Sequence, residues 1–231
     1  SGAIEISATA DEETGGFGGV AWFAEKGYFS PKRVQHVIIP EPLNKDRICL
    51  GHRGVWWSEI ETKGRVAHGS MPFLGDCAIR HMGAVLDEIE KSLIPQLEKK
   101  TTKMPVVPEQ ARKSTLNINS IHGGLAEASE NYSGYPSPLV PDSCRIILDR
   151  RYLMEESLEQ VKSEVHAILD KVKSDRPSLV YEINDLFEVK PSYTDPTSSI
   201  VQTVEASIKQ ILGVSPEYVV SPGTYDQKHI D

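Results

Sequence analysis

Cysteine is rare in this chain, and the few cysteines form no recognisable motif. The 231 residues include three of them, Cys49, Cys77 and Cys144, which are widely spaced and make no C-x-x-C pair. An odd, scattered set argues against a disulfide framework and favours a reducing compartment. We therefore expect a cytoplasmic protein.

Long apolar runs and excess positive charge are also missing. No run approaches the roughly 20 apolar residues of a membrane helix, and no charged-then-apolar leader is visible. The net charge is -8, which argues against nucleic acid or an anionic membrane as a partner. The composition, 39% hydrophobic, is that of an ordinary globular protein with one large or two modest domains.

The most distinctive stretch present is EISATADEE, residues 5–13. A strand-like segment, Ile4 to Thr9, leads directly into Asp11, Glu12 and Glu13. One interpretation is a solvated turn before a helix whose dipole favours acids. The other is that one carboxylate binds a metal while its neighbour acts as a general base. The motifs farther along the chain favour the second.

Hydrophobic periodicity predicts the order of the elements. Strands are predicted at 4–9, 34–39, 55–66, 114–121, 144–152, 178–189 and 217–220, and helices at 17–28, 75–100, 155–173 and 198–212. Within residues 53–189 the order is βαββαβ, the ferredoxin-like split βαβ pattern, which leaves a sheet face and an edge available for association. The flanking segments, 1–52 and 190–231, have α/β texture and are predicted to form one interrupted domain.

Six motifs occur in one order: TADEETGG, IIPEP, GHRGVWWSEIETKGRVAHGSMPFLGDCAI, LNINSIHGG, LVPDSCRIILDRR and SPGTYDQKH. This series resembles metallopeptidase family 20, the dizinc amidohydrolases that include acetylornithine deacetylase, succinyl-diaminopimelate desuccinylase, glutamate-type carboxypeptidases, aminoacylases and dipeptidases. The resemblance implies a parallel-type zinc-hydrolase catalytic domain, partial here, interrupted by a βαββαβ lid that is also a dimerisation domain. A homodimer is therefore expected.

The resemblance also implies catalytic roles. Glu12 matches the general base that deprotonates the metal-activated water, while Glu13 and Glu41 match zinc ligands. Two zinc ions, with cobalt or manganese as alternatives, suit amide hydrolysis because they lower the pKa of water and stabilise the oxyanion. His68 matches a lid histidine that polarises the scissile carbonyl, often from the partner subunit; its alternative is a hydrogen-bonded surface residue.

Further positions match substrate-binding residues of the family. Arg151 matches an arginine that grips the substrate α-carboxylate, with Arg150 as the alternative register. Asn119 or Asn117 is expected to add a polar contact. The glycine-rich substrate loop of the family corresponds to Gly223, Thr224 and Lys228, for which a plain turn is the alternative.

The chain departs from the family pattern in two ways. The family's remaining zinc ligands would lie before Ser1 and after Asp231, and Glu13 and Glu41 alone are a weak site. The other histidines are not assigned to those places: His36, His52, His81, His122, His166 and His229. Pro138-Leu139 replaces an asparagine that many members have before the VPD motif, which leaves the substrate class open.

The sequence therefore predicts metal-dependent hydrolysis of the amide bond of an N-acyl amino acid, of deacetylase or desuccinylase type. A dipeptidase or carboxypeptidase of the same family, acting on a dipeptide, is the first alternative. A non-catalytic dimerisation and substrate-binding module with an incomplete metal site is the second. Because the chain opens without Met on an apparent core strand, and both ends look cut, we expect an internal portion of a longer protein.

Overall fold

The computed structural model describes residues 2–41, 43–124 and 138–230. The strands are β1 (Arg47–His52), β2 (Gly54–Lys63), β3 (Thr115–Gly123), β4 (Ser143–Tyr152), β5 (Val180–Val189), β6 (Ser192–Tyr193) and β7 (Glu217–Ser221). The helices are α1 (Val20–Glu25), α2 (Ala78–Glu88), α3 (Ile94–Leu97), α4 (Leu158–Asp175) and α5 (Ser199–Leu212), with a π-helical turn at Ile89–Leu93 between α2 and α3. None of the helices in these ranges is long and apolar enough to cross a membrane.

Contacts divide the chain into two units: residues 1–53, 103–112 and 189–231 form unit 1, and residues 54–102 and 113–188 form unit 2. The segment 103–112 groups with unit 1, although the sequence places it inside the inserted domain. Its Val106 is buried in the core of unit 1 with Val220. The domain boundaries at 52/53 and 189/190 stay a prediction, because a compact unit is not yet an independently folding domain.

Unit 2 has a four-stranded sheet in the order β3-β4-β2-β5. Strands β2 and β3 both pair antiparallel with β4. Chain order and sheet order together give the ferredoxin-like βαββαβ fold, so the predicted fold class is confirmed. Side chains alternate between the two faces of the sheet; one face, with Trp56, Ile146 and Leu148, is buried against α2 and α4. The opposite face, carrying Trp57 and Arg151, is called the open face below.

A capping box defines where α4 begins. The hydroxyl of Ser157 accepts a hydrogen bond from the backbone N–H of Gln160 at 3.2 Å, and the Gln160 side chain accepts one from the N–H of Ser157 at 3.1 Å. Two otherwise unpaired backbone donors are thereby satisfied. From this start, Val161, Val165 and Leu169 recur on one side of the helix and are fully buried.

Unit 1 has a three-stranded sheet in the order β6-β1-β7. Strand β1 runs parallel to β7 and antiparallel to β6. Ile48 and Leu50 of β1 and Val201 of α5 belong to its core. Strand β1 was missed in the sequence because its six residues, RICLGH, show neither a clear alternation nor a continuous β-branched run.

The strands predicted at 4–9 and 34–39 are wrong in this structure. Neither segment forms a strand, and Ile4 and Ile6 are each 93% exposed. An apolar segment becomes a strand only when a neighbour completes its hydrogen-bond ladder, and the described residues supply none to either segment.

Candidate functional site

The acidic stretch forms a tight turn that separates its three carboxylates. Asp11 has left-handed backbone geometry, with φ of 77°, and Glu12–Thr14 form a single 3-10 turn. The Asp11 carboxylate accepts a hydrogen bond from the N–H of Gly18 at 2.8 Å. Asp11 is therefore used locally to close the turn, which leaves Glu12, half-buried, and Glu13, exposed, available for other work.

Asp226 and His229 contact this turn. His229 Nε2 donates to the carbonyl oxygen of Gly15 at 2.7 Å, and its ring meets the edge of Phe17 at 5.6 Å between centroids. A Cβ added to Gly16 would lie 2.5 Å from Oδ1 of Asp226. Since φ of Gly16 is 75°, this position requires glycine for its backbone geometry and for its lack of a side chain.

Glu41 belongs electrostatically to the same cluster. Although Glu41 is exposed to solvent, desolvation by its neighbours and the negative charges of Glu12, Asp226 and Glu13 raise the pKa of its carboxyl above the usual value, and Lys228 acts in the opposite direction. Lys228 lies against Asp226, with Nζ 3.7 Å from Oδ1, and both side chains are buried. Four carboxylates and one ammonium group therefore interact electrostatically at this place, and the net negative charge raises the cost of ionising Glu41.

The carboxylates of this cluster are hard oxygen donors of the kind that zinc, manganese and cobalt accept. Glu13 and Glu41, the two predicted ligands, fall short of the roughly three or four protein ligands of a tight zinc site. Among the described residues, no group of three or more histidine, cysteine, aspartate or glutamate side chains has metal-binding geometry. The donors fit part of a metal site.

His68 has a defined tautomer. Its Nδ1 accepts a hydrogen bond from the backbone N–H of Ser70 at 3.2 Å and lies 2.7 Å from the Ser70 hydroxyl. A backbone N–H can only donate, so Nδ1 carries no proton and the neutral ring holds its proton on Nε2. Residue 68 also forms a β-bridge with Leu139, and its side chain is exposed. The imidazole can therefore offer an Nε2–H donor to a carbonyl oxygen.

Arg150 and Arg151 point to opposite faces of the sheet. Arg150 is fully buried, and its Nη2 contacts Glu156 at 2.8 Å and Glu164 at 3.2 Å. Arg151 is on the open face, where it forms two hydrogen bonds with Asp149. Only Arg151 is therefore accessible to a substrate, which favours the predicted register over its alternative.

The other predicted substrate residues occupy irregular positions. Asn119 lies at the register shift between β3 and β4 and accepts a hydrogen bond from the Asn117 amide at 2.7 Å. Gly223 and Thr224 follow β7 in a turn, where the N–H of Gly223 donates to Ser221 Oγ at 3.0 Å. All of the predicted site roles remain predictions.

The structure brings Glu12, Glu13, Glu41 and Lys228 together in unit 1, whereas His68, Asn119 and Arg151 belong to unit 2. Sequence reasoning missed two carboxylates. Asp226 follows the carboxyl end of the parallel strand β7, the same placement that drew attention to Glu12. Asp149 is two residues from Arg151 on a strand and must share its face.

Comparison with known proteins agrees with the family resemblance of the sequence motifs. The family model described as peptidase dimerisation domain matches residues 50–177. Succinyl-diaminopimelate desuccinylase of Methylobacillus flagellatus is 26% identical over 233 aligned residues, which cover 99% of this chain and 56% of the relative. The chain therefore spans about half the length of the curated relatives it matches.

Solved structures share the fold. A tripeptidase from Staphylococcus aureus subsp. aureus Mu50 superposes with a TM-score of 0.66 at 17% identity, covering 96% of this chain and 51% of that protein. Human carnosine dipeptidase 1 superposes with a TM-score of 0.67 at 16% identity, covering 95% and 55% respectively. At these identities the likeness establishes the fold alone.

Proposed function

Because the chain belongs to the M20 peptidase family, whose dimerisation-domain model matches residues 50–177, we propose that it carries the lid and part of the catalytic machinery of a metal-dependent hydrolase. The reaction is cleavage of the amide bond of an N-acyl amino acid, with N-succinyl-diaminopimelate as the first substrate to test. The observation that carries this proposal is that the charges of Glu12, Glu13, Asp226 and Lys228, which come from segments distant in sequence, all act on the Glu41 carboxyl, with Lys228 paired to Asp226.

Glu12 is the general base in this scheme. Divalent cations, two zinc ions in the first instance with cobalt or manganese as alternatives, would be held in part by Glu13 and Glu41 and would lower the pKa of the attacking water. Glu12 takes a proton from that water and passes it to the departing amine nitrogen. Its place directly beside Glu13 suits this role because the base and the ligand share one 3-10 turn.

His68 and Arg151 complete the scheme from unit 2. The Nε2–H of His68 donates to the scissile carbonyl oxygen, where negative charge grows in the transition state. The guanidinium of Arg151 binds the substrate α-carboxylate through two parallel hydrogen bonds. Asn119 adds a polar contact, and the turn at Gly223 and Thr224 borders the substrate.

In this proposal the ammonium group of Lys228 acts on the neighbouring carboxylates rather than on the substrate. It faces Asp226 and lowers the pKa of Glu41, so it offsets the repulsion among the carboxylates. A substrate contact through Lys228 would need that pairing to open.

The experiment is an assay of the full-length protein, purified and reconstituted with zinc. Amine release is followed with N-succinyl-diaminopimelate, N-acetylornithine and simple dipeptides as parallel substrates. Cleavage of an N-acyl amino acid in preference to dipeptides supports the proposal. Preference for dipeptides supports the dipeptidase or carboxypeptidase alternative.

A non-catalytic dimerisation and substrate-binding module is the second candidate, and the small number of assembled ligands in the described residues favours it. Metal content separates the two candidates. About two zinc ions per chain, the number of a co-catalytic site, supports the hydrolase, whereas the absence of bound metal together with the absence of turnover supports the module.

Three properties of the protein in its cell are part of the proposal. It acts as a homodimer associated through unit 2, in keeping with the dimerisation-domain match. It resides in the cytoplasm, since Cys49, Cys77 and Cys144 are all free. Its partners are a small acylated substrate and a second copy of itself, with no nucleic acid or membrane.

A further inference from the structure

The Asp149 carboxylate forms a bidentate pair with Arg151 along one edge of the guanidinium. Arg151 Nε lies 2.6 Å from Oδ1 of Asp149, and Nη2 lies 3.0 Å from Oδ2. The two residues are separated by one position on β4, so they share the open face and the pairing is built into the strand. The side chain of Arg151 is 25% exposed and that of Asp149 is 16% exposed. A pair this sheltered keeps its geometry better than a fully exposed ion pair.

The ring of Trp57 lies near the same guanidinium. Trp57 is directly opposite Asp149 in the β2–β4 register, and the Arg151 Cζ is 5.9 Å from the Trp57 ring centroid. Trp57 is itself packed against Phe187, with 5.4 Å between ring centroids. Cation–π attraction and the carboxylate therefore both act on Arg151.

One edge of the Arg151 guanidinium remains available for another hydrogen-bond acceptor. A guanidinium can form paired hydrogen bonds along two edges, one through Nε and Nη2 and one through Nη1 and Nη2. Asp149 occupies the first edge. In the described part of the chain, no hydrogen bond or ion pair involves Nη1 of Arg151. One edge of a fixed, planar donor is thus left for a second carboxylate.

We infer that Asp149 is a positioning residue for substrate recognition: it fixes Arg151 so that the Nη1–Nη2 edge receives the α-carboxylate of the acylated amino acid. This inference rests on the proposed function. Preorganisation of this kind improves binding because the rotamer freedom of the long arginine side chain is lost before the substrate arrives. A purely structural ion pair on the sheet would have no such effect on substrate binding.

The test uses the full-length enzyme and two matched substrates, the N-acyl amino acid and its α-carboxamide, which lacks the carboxylate charge. Asp149→Ala and the milder Asp149→Asn are each expected to raise KM for the carboxylate substrate, by about tenfold for alanine, with kcat within about twofold. KM for the carboxamide should not change. Asp149→Asn keeps one acceptor oxygen and the side-chain shape, so its effect should be smaller.

The matched control is Glu59→Gln. Glu59 is another acidic residue on the open face, and it lies 3.8 Å from Arg145. Arg145 is six positions along β4 from Arg151, which corresponds to roughly 20 Å. Its replacement removes a carboxylate from an arginine pair on the same sheet. KM for both substrates should stay at the wild-type value.

A double-mutant cycle separates positioning from simple structural support. If Asp149 acts through Arg151, Asp149→Ala should have no further effect on KM in an Arg151→Ala background. Equal KM increases for the carboxylate and carboxamide substrates, or a full effect of Asp149→Ala in that background, would overturn the inference. So would an unchanged KM in an active Asp149→Ala enzyme. A wild-type enzyme that hydrolyses neither substrate would instead refute the proposed function.

Discussion

Glu12 and Glu13 are neighbours with different proposed tasks, and a single substitution distinguishes them. Glu12→Gln in the full-length protein should retain metal and substrate binding but lower kcat by about 10²-fold or more, because the amide cannot accept the proton of water. Kinetics together with metal analysis of the same samples measure both quantities. Loss of metal with little loss of rate per remaining metal would mean that Glu12 and Glu13 have exchanged roles.

The buried Arg150 network predicts a pH-dependent contribution to stability. Burial alone would raise the pKa of Glu156, but the charge of Arg150 and hydrogen bonds from Lys100 and Ser114 outweigh it and bring that pKa below its usual value. A carboxyl whose folded-state pKa is lowered stabilises the fold above its unfolded-state pKa, near 4.3. The contribution disappears as pH falls through the lower, folded-state pKa.

Glu156→Gln is therefore expected to reduce the free energy of unfolding by about 3 kcal/mol at pH 7, the low end for a broken buried pair, because Glu164 still contacts Arg150. The loss should shrink as pH falls toward 3. Denaturant titrations at several pH values measure it. Asp175→Asn removes an exposed i,i+4 pair with Lys171 on the same helix and should cost less than about 0.5 kcal/mol. A loss independent of pH would contradict the electrostatic account.

At the residue scale, a motif in the sequence assigns a substrate-binding role to Arg151, and that role stays a prediction. The structure places Arg151 on the open face and Arg150 in the core. Asp226 was missed because its contact with Gly16 depends on the fold. Gly16 and Asp226 lie near opposite ends of this sequence but are neighbours in the fold. Asp149, by contrast, was missed although its spacing from Arg151 on one strand already places both side chains on the same face.

At the scale of elements, we expect the turn between Asp11 and α1 to be sensitive to backbone changes. Gly16 and Gly27 have nearly identical left-handed geometry, with φ of 75° and 76°. A Cβ at Gly16 would meet Asp226, whereas a Cβ at Gly27 would meet nothing within 4 Å. The two positions thus separate backbone strain from steric displacement.

Gly16→Ala and Gly27→Ala should each lose about 1–2 kcal/mol of stability from the left-handed backbone. Only Gly16→Ala should also lower kcat, by about tenfold or more, because displacing Asp226 shifts the turn that holds Glu12. Thermal unfolding and steady-state kinetics on both variants measure the two effects. Equal kcat values would show that the contact between Gly16 and Asp226 has no part in holding Glu12.

Elements of unit 2 were predictable from sequence because each buries one face, so its hydrophobic residues recur at a regular spacing. Strands β2 and β4 and helix α4 lie close to their predicted limits. Residues 4–9 and 34–39 have the composition of buried strands without the neighbours that would make them strands here. Strand β1 was the opposite case, since its structure comes from pairing with β7 and β6 rather than from its own pattern.

At the scale of the whole molecule, unit 2 is expected to carry the dimer contact. Residues 54–188 expressed alone should fold and self-associate, measured by sedimentation at high concentration. The segment 103–112 should be replaced by a polar linker of equal length, because Met104 and Val106 otherwise lose their partners in unit 1. A strictly monomeric profile would contradict association through this unit, while a dimer that persists without unit 1 would support it.

In the proposed scheme His68 connects the dimer with the chemistry, and its removal tests the whole scheme. His68→Ala should lower kcat by about 10²-fold, the scale of one oxyanion donor, with unchanged zinc content and a modest change in KM. Replacing Ser70 by alanine leaves the backbone N–H that fixes the tautomer, so Ser70→Ala is the control and should retain most of the activity. A His68→Ala enzyme with normal kcat would remove His68 from the mechanism.

Mixing inactive variants shows whether His68 acts within its own chain or across the dimer. In a heterodimer of His68→Ala and Glu12→Gln chains, action across the dimer leaves one site with both groups intact and the other with neither. Random reassortment of equal amounts should then restore about a quarter of wild-type activity, because half of the dimers are mixed and each has one working site of two. Action within one chain leaves every site without one group, so no activity returns. The amount regained on mixing therefore distinguishes the two arrangements, provided that subunit exchange is first confirmed with differently tagged chains.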